Sequence, residues 1–395
     1  RRRRPPRRTE RHAGVPRWHL AAAGRVAAVD IFRRTMRPRL HRDRLAALVD
    51  GFAGRPVPMA VDLVADRFVT GTPKRISREA PVLILQYEGE HLAPGGGANA
   101  VANVAALDGR PLPLGVVGDD ASGTELVAAL AARGVDVSGV RVRSGYRTPT
   151  KVRIVGGARH ALKQQIVRYD VEDRVALDDA DRAAFAAALE RWTAAGAAPA
   201  VAILSDYGYG GADPSLVPLL RGALGAGAAL VCDSRWRLAD LAASGGVDGA
   251  TPNEEEAEAL HGGPLAADGD DAALAAAGEA LRRRLGARFL LVTRGSRGMS
   301  LFEEGGAAHL PVHGTDQVAD VTGAGDTVIG TFALALAAGA EPLEAAALAN
   351  YAGGVVVMKM GTATLSRDEL RHAIDSDPRP LEEMTSTREG GWARS

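Results

Sequence analysis

Short continuous apolar runs alternate along this chain with longer segments whose apolar residues recur every three to four positions. The first kind reads as buried strands, at 57–64, 112–117, 200–204, 229–232 and 289–293. The second reads as amphipathic helices, at 44–51, 98–107, 122–133, 180–195, 216–225, 254–261 and 271–285, with an apolar helical run at 328–338. Repeated αβ units with continuously apolar strands predict a doubly wound α/β fold, a mostly parallel sheet with helices on both faces. Two segments break the pattern. Residues 67–90 and 146–170 alternate polar and apolar like half-exposed strands, which predicts a small β-sheet covering a cleft as a lid.

Composition narrows the partners. Lysine plus arginine equals aspartate plus glutamate, 48 each, so overall charge makes no case for nucleic acid or a membrane surface. No run of about 20 apolar residues is present to span a bilayer, and a cytoplasmic location is expected. The single cysteine, Cys232, excludes an internal disulfide and reads as a buried thiol in an apolar run. Arginines at 1–4, 7 and 8 surround Pro5 and Pro6, and residues 1–43 are expected to be a basic extension outside the fold. Residues 44–375 would form the folded domain, and 376–395, polar and rich in Pro and Gly, a flexible tail.

The chemistry concentrates in Asp320-Val321-Thr322-Gly323-Ala324-Gly325-Asp326-Thr327. Two glycines flanking an alanine let backbone N–H groups converge on an anion, and the helix start behind them adds its positive dipole. A carboxylate beside such a site would repel phosphate unless it accepts a proton from an attacking hydroxyl, so Asp326 reads as a general base for phosphoryl transfer to an alcohol. Plain helix capping is the simpler alternative for the octet. Gly95-Gly96-Gly97-Ala98-Asn99 opens another helix, with glycines that admit a ligand and an amide suited to sugar hydroxyls. Asp62 and Asp66 lie at the end of the first strand, where open parallel sheets bind ligands. Asn253 and Glu256, three residues apart at a helix start, suit either capping or a hydrated magnesium ion. Thr293-Arg294-Gly295 with Gly298 forms a strand-to-turn segment able to hold phosphates.

These pieces resemble the ribokinase-like (PfkB) carbohydrate kinases, from about Arg55 to Arg371. Residues 320–326 match that family's C-terminal signature, Gly95 to Asn99 its glycine motif, and Asn253 with Glu256 its Asn-x-x-Glu motif. Within the family the likeness is greatest to the bacterial D-glycero-β-D-manno-heptose-7-phosphate kinases, carried by Arg75-Ile76-Ser77-Arg78-Glu79-Ala80-Pro81-Val82, Leu204-Ser205-Asp206-Tyr207 and residues 320–330. The resemblance implies ATP-dependent phosphorylation of a sugar or sugar phosphate, with Mg2+ at Asn253 and Glu256. Asp326 would be the base and Gly323, Ala324 and Gly325 the anion hole. Asp62, Gly96, Gly97, Asn99 and Asp206 would face the sugar, and Lys151, Arg153 and Arg168 a phosphate already on it. Thr293, Arg294, Gly295, Gly298, Thr322 and Asn350 would face the nucleotide. Asp320 and Thr322 match positions near a monovalent cation such as K+ in some relatives, and a homodimer through the lid is expected. The chain departs from the pattern at Val61, Tyr209 and Ser234, all on the sugar side. No His-x-x-His nucleotide motif follows Arg371, so the likeness is to the kinase half of the bifunctional enzymes. Kinases for another sugar, a nucleoside or a fructose phosphate, and a silent binding protein of the same fold, are the alternatives.

Overall fold

The computed structural model describes residues 40–386, apart from 158–162, 195, 197, 268 and 315–318. The basic cluster at the N-terminus and the glycines at 390 and 391 therefore lie outside the described residues. The first strands are β1 (Pro56–Val61), β4 (Arg110–Gly118), β5 (Val140–Arg143), β8 (Val201–Asp206), β9 (Ala229–Ser234), β10 (Gly249–Ala250) and β11 (Phe289–Thr293). They form the parallel part of a ten-stranded sheet ordered β14-β13-β12-β11-β10-β9-β8-β1-β4-β5. Three antiparallel strands, β12 (Met299–Glu303), β13 (Gly306–Leu310) and β14 (Thr385–Ser386), complete one edge.

Strand β1 lies between β4 and β8, so the chain reverses its direction of travel across the sheet there. Such a reversal opens a crevice at the carboxyl ends of the strands. Helices α1 (Arg42–Asp50), α2 (Gly97–Ala106), α3 (Ala121–Ala131), α4 (Asp179–Ala194), α5 (Val217–Ala223), α6 (Leu238–Ala243), α7 (Glu254–His261) and α8 (Asp271–Arg284) precede α9 (Ala324–Ala337), α10 (Pro342–Val356) and α11 (Arg367–Ser376). Helix α9 is buried almost throughout, and α10 nearly so, which matches their uniformly apolar sequences. Cys232 is a buried thiol, as expected. No helix among the described residues is long and apolar enough to cross a membrane.

A second sheet holds β2 (Leu63–Ile76), β3 (Leu83–Gly96), β6 (Thr150–Gly156) and β7 (Gln164–Val171) in the order β3-β2-β6-β7. Its hairpin is rooted where Leu63 pairs with Gly96, two residues beyond the end of β1. Arg67 ties it to Glu90 and to Glu125 on α3, and Phe68 stacks on His91 while lying against Gly361. Much of the exposed apolar surface, including Ile76, Tyr87, Ile166, Val167 and Tyr169, lies on this sheet.

Two expectations change. Helix α9 begins at Ala324 rather than 328, because the Gly-Ala-Gly stretch is already helical with Gly323 left-handed before it. Residues 376–386 are packed rather than loose. The Tyr351 hydroxyl donates to the Asp377 carbonyl at 2.7 Å, Met384 is buried, and β14 pairs with β13.

Candidate active site

Parallel strands deliver their last residues to one side of a sheet. At the ends of β1, β8 and β9 the sequence places Asp62, Asp206 and Asp233, and the start of α9 adds Asp326. These four acids are not equivalent. Asp62 is 1% exposed, and its carboxylate accepts from four backbone N–H groups: Tyr207 at 2.8 Å, Tyr209 at 2.9 Å, Gly211 at 2.6 Å and Ala212 at 3.2 Å. Those bonds occupy its acceptor capacity. Asp62 therefore clamps the loop after β8, which corrects its expected place as a sugar contact. Asp206 is corrected in the same way. It accepts from Arg237 Nη2 at 2.7 Å and Nε at 3.1 Å, from the Ser234 hydroxyl at 2.6 Å and from Gly208 N–H at 3.0 Å.

Asp326 is 2% exposed and sits in the first turn of α9. Its Oδ1 accepts from the Tyr207 hydroxyl at 2.7 Å, and its Oδ2 from Asn99 Nδ2 at 3.0 Å. The Asn99 amide is oriented in turn, since Asn103 Nδ2 donates to Asn99 Oδ1 at 3.3 Å and the Thr327 hydroxyl to Asn103 Oδ1 at 3.0 Å. Burial pushes the Asp326 pKa up to about 7, against the lowering effect of the Tyr207 and Asn99 bonds. Gly323 has φ 79°, and a side chain there would strike Asn99, its Cβ lying 2.4 Å from Nδ2. The N–H groups of Gly325 and Asp326 take no backbone acceptor among the described residues, which leaves donors for an anion.

The glycines before α2 serve the protein's own packing. A Cβ at Gly97 would lie 2.7 Å from Val61 Cβ, and one at Gly95 would lie 2.6 Å from the Asp66 carboxyl carbon. Gly96, the N-cap of α2, sits against Val64 in the same way. The lid cations also divide. Arg153 is buried and bonded to Asp66 at 2.6 Å, and Arg168 grips Asp170 through two bonds, at 2.7 and 2.5 Å. Both were expected to meet a phosphate. Lys151 has its ammonium 5.3 Å from the centre of the Tyr207 ring, and burial depresses its pKa. It lines a cavity of about 470 Å³ with Tyr207, Arg174, Arg235 and Trp236. Among the described residues, Lys151, Arg174 and Arg235 have no carboxylate within ion-pair distance, which distinguishes them from Arg168 on the same wall. Sequence reading gave neither Arg174 nor Tyr207 a role in the site: nothing in its local pattern separates Arg174 from surface polar residues, and Tyr207 entered only as part of the segment Leu204-Ser205-Asp206-Tyr207.

On the other side of α9 a cleft of about 520 Å³ brings together Thr293, Gly295, Gly298, Asn350, Ala324 and Gly325. Arg294 is pulled away from it by Glu254, 3.0 Å from its Nε, so its expected phosphate contact is corrected. Asn253 and Glu256 form a reciprocal capping box on α7, each side chain accepting from the other's backbone N–H at 2.9 Å. Burial raises the Glu256 pKa. Asp233 faces Glu256 and Asp326 across the crevice and is itself pushed up by burial. No cluster of three His, Cys, Asp or Glu side chains able to cage a metal occurs among the described residues. Asp320 accepts from the N–H of Thr322 at 2.9 Å and of Gly361 at 3.0 Å, while the Thr362 hydroxyl, on the residue after Gly361, is buried without a partner among the described residues.

A buried carboxylate at a helix start, between an apolar cleft and a cationic cavity at a sheet's switch point, is the arrangement of a small-molecule kinase. The chain belongs to the pfkB family of carbohydrate kinases, whose family model matches residues 59–369, and it is a sugar kinase of ribokinase-like fold. It is 41% identical over 327 residues to the bifunctional protein HldE of Mesorhizobium japonicum, covering 82% of this chain and 62% of that protein. It is 43% identical over 331 residues to the bifunctional protein HldE of Halorhodospira halophila, covering 84% and 65%. The chain thus spans just under two thirds of the length of these relatives. Among solved structures it is similar in fold to phosphofructokinase-2 from Escherichia coli in complex with substrates and products, with TM-score 0.64, 20% identity, and coverage of 82% of this chain and 99% of that one. It is also similar to Arabidopsis thaliana ribokinase complexed with ribose and ATP, with TM-score 0.61, 22% identity and the same coverage.

The Asp62 clamp is testable by stability. Asp62→Ala leaves four loop N–H groups without their acceptor, and each orphaned buried donor costs ~1–3 kcal/mol, so chemical denaturation is expected to show a loss of about 3 kcal/mol or more. A loss below about 1 kcal/mol would mean that the loop holds its own shape.

Proposed function

We propose that this chain moves the terminal phosphate of ATP to a hydroxyl of a phosphorylated sugar, with D-glycero-β-D-manno-heptose 7-phosphate, phosphorylated at its anomeric hydroxyl, as the best single acceptor. The observation that carries the reading is Asp326, buried beside free helix N–H groups and held by Tyr207 and Asn99. In the reaction Asp326 takes the proton of the acceptor hydroxyl as its oxygen bonds to phosphorus and the bond to the departing ADP breaks. The N–H groups of Gly325 and Asp326 hold the charge that develops on the transferred group.

The residues present fit the nucleotide and its metal. The cleft lined by Val328, Asn350 and Gly353 is apolar enough for a base, and Ala324 and Gly325 place the anion site at its end. A magnesium ion bound through its own waters suits Glu256, which keeps one carboxylate oxygen outside the capping box, with Asn253 beside it. ATP with Mg2+ would supply the phosphoryl group and the charge that neutralises it. The Thr362 hydroxyl, buried without a partner among the described residues and next in the chain to Gly361, which Asp320 holds, supports a monovalent-cation site at that loop.

The phosphorylated acceptor is favoured by Lys151, Arg174 and Arg235, three cations on the cavity beside Tyr207 that, among the described residues, take no ion pair from its acids Asp170, Glu172 and Asp173. Asp66, buried at the mouth of the lid, replaces Asp62 as the acid on the sugar side. We further propose that two copies pair through the lid, whose outer strands β3 and β7 have no strand beyond them among the described residues and whose surface carries much of the exposed apolar side-chain area.

Asp326→Asn is expected to lower turnover by ~10² or more, as removal of a general base does. Because a base with a pKa of about 7 goes from mostly protonated to mostly ionised as the pH rises through that value, wild-type kcat/KM should rise through pH 7, and the rise should vanish in the variant. ATP consumption over free and phosphorylated sugars checks both; full activity of the variant overturns the mechanism, and no turnover with any sugar favours a silent binding protein. Arg174→Ala should raise the KM for the phosphosugar ~10-fold or more, the usual loss for a charge-assisted contact, with the KM for ATP unchanged. Equal KM values in the two proteins would remove Arg174 from the acceptor site. Light scattering at micromolar concentration should give the mass of a dimer, reduced to a monomer by Tyr87→Lys combined with Tyr169→Lys; a monomeric wild type removes the lid pairing.

A further inference from the structure

We propose that Tyr207 is a positioning residue for the transfer step, holding Asp326 as an aimed anion and tying the readiness of that base to the loop that walls the acceptor cavity. The inference rests on Asp326 being the base. Its ground is a chain of contacts in which each link is buried or nearly so. Asp62 accepts the Tyr207 N–H and fixes the backbone of the loop. The Tyr207 hydroxyl then reaches Asp326 Oδ1 at 2.7 Å, while its ring lies beneath the Lys151 ammonium and lines the cationic cavity. Packing alone does not account for this residue, since a phenylalanine would fill the same space and cover the same wall. The hydroxyl is what a phenylalanine lacks, and among the described residues its one hydrogen-bond partner is Asp326.

The chemistry of the bond sets its consequence. A phenol that donates to a carboxylate stabilises the anion and leaves the oxygen one further acceptor direction. Asn99 does the same at Oδ2, so both oxygens are aligned and each can still receive a proton from an entering hydroxyl. Tyr207 remains a donor across the working range, because burial and Asp326 keep its own pKa well above the usual phenol value. The charged groups facing Asp326 are Asp66 from β2, Lys151 from β6 and Asp233 from β9. Asp66 and Asp233 oppose the anion and Lys151 favours it, so none of them replaces the tyrosine's hydrogen bond in fixing the direction of the carboxylate. The same side chain thus touches the two things a kinase must coordinate: the pocket that recognises the acceptor and the base that activates it.

The test is Tyr207→Phe, which keeps the ring beneath Lys151 and removes one oxygen. Loss of a hydrogen bond to a buried anion should raise the pH at which Asp326 ionises by about one to two units. The acidic limb of kcat/KM should therefore move upward by that amount, with kcat at pH 7 down ~10-fold or more and the KM for ATP unchanged. A thermal-melt series from pH 5.5 to 9, comparing wild type with Asp326→Asn and Tyr207→Phe with the double variant, reads the same ionisation without any substrate. Upward displacement in both series is the expected result. An unmoved pH profile and an unmoved melt titration overturn the inference even if Tyr207→Phe is less active. If the wild type consumes no ATP with any sugar while the melt titration still shifts, the assigned reaction fails and the hold of Tyr207 on Asp326 stands.

Discussion

The site depends on keeping one carboxylate charged where burial opposes the charge. Asp326 is enclosed at the start of α9, and desolvation alone would hold it protonated through neutral pH. Two hydrogen bonds, from Tyr207 and Asn99, and the positive end of the helix work against that. The balance falls near neutrality, where a base is neither too weak to take a proton nor too firmly protonated to act. Much of the surrounding structure supports these two donors. Asn103 and Thr327 orient Asn99 from within the α2–α9 interface, and Asp62 fixes the loop that presents Tyr207. The αL conformation of Gly323 starts α9 with room for the Asn99 amide.

The two sides of α9 differ in chemistry in a way that suits two substrates. The nucleotide side is an apolar cleft whose polar groups are mostly satisfied by the protein, as in the Asn253–Glu256 capping box and the Arg294–Glu254 pair. The acceptor side carries cations without an ion-pair partner among the described residues, Arg174 and Arg235 exposed and Lys151 half-buried, which leaves them available to an anion. Specificity can drift on that side without disturbing the transfer machinery. Tyr209, one of the departures from the family pattern, places its hydroxyl 3.2 Å from Glu172. Arg237 neutralises Asp206 from a different element.

What the sequence disclosed follows the range of the forces involved. Helix α7 and strand β11 lie at the residues that periodicity and capping assigned to them, because their signals are local. The octet ending at Thr327 was legible because glycine spacing and a helix start are local as well. Asp62 was misread because its partners lie about 145 residues away, and a strand-end acid facing backbone looks the same as one facing a ligand. Arg153 was misread for the same reason, its pairing with Asp66 being set by the parallel register of β2 and β6. The antiparallel edge beyond β11 and the packing of 376–386 escaped because short strands leave little periodicity to read.

The lid hairpin is a lever with unequal arms. Its two strands are 14 residues each, roughly 45 Å when extended, and they are joined to the large domain near the root, where Leu63 meets Gly96 and Arg67 grips Glu125, while β6 pairs with β2 from Ala65 to Gly71. A tilt of a few degrees at that root is a displacement of several ångströms at the tip. Mechanical advantage also runs the other way: anything that grasps the exposed far end applies a magnified torque at the near end. Asp66, four residues along the chain from the clamp at Asp62, stands at the near end with its partner Arg153, so events at a distant surface would be felt as a change in the aperture of the acceptor site.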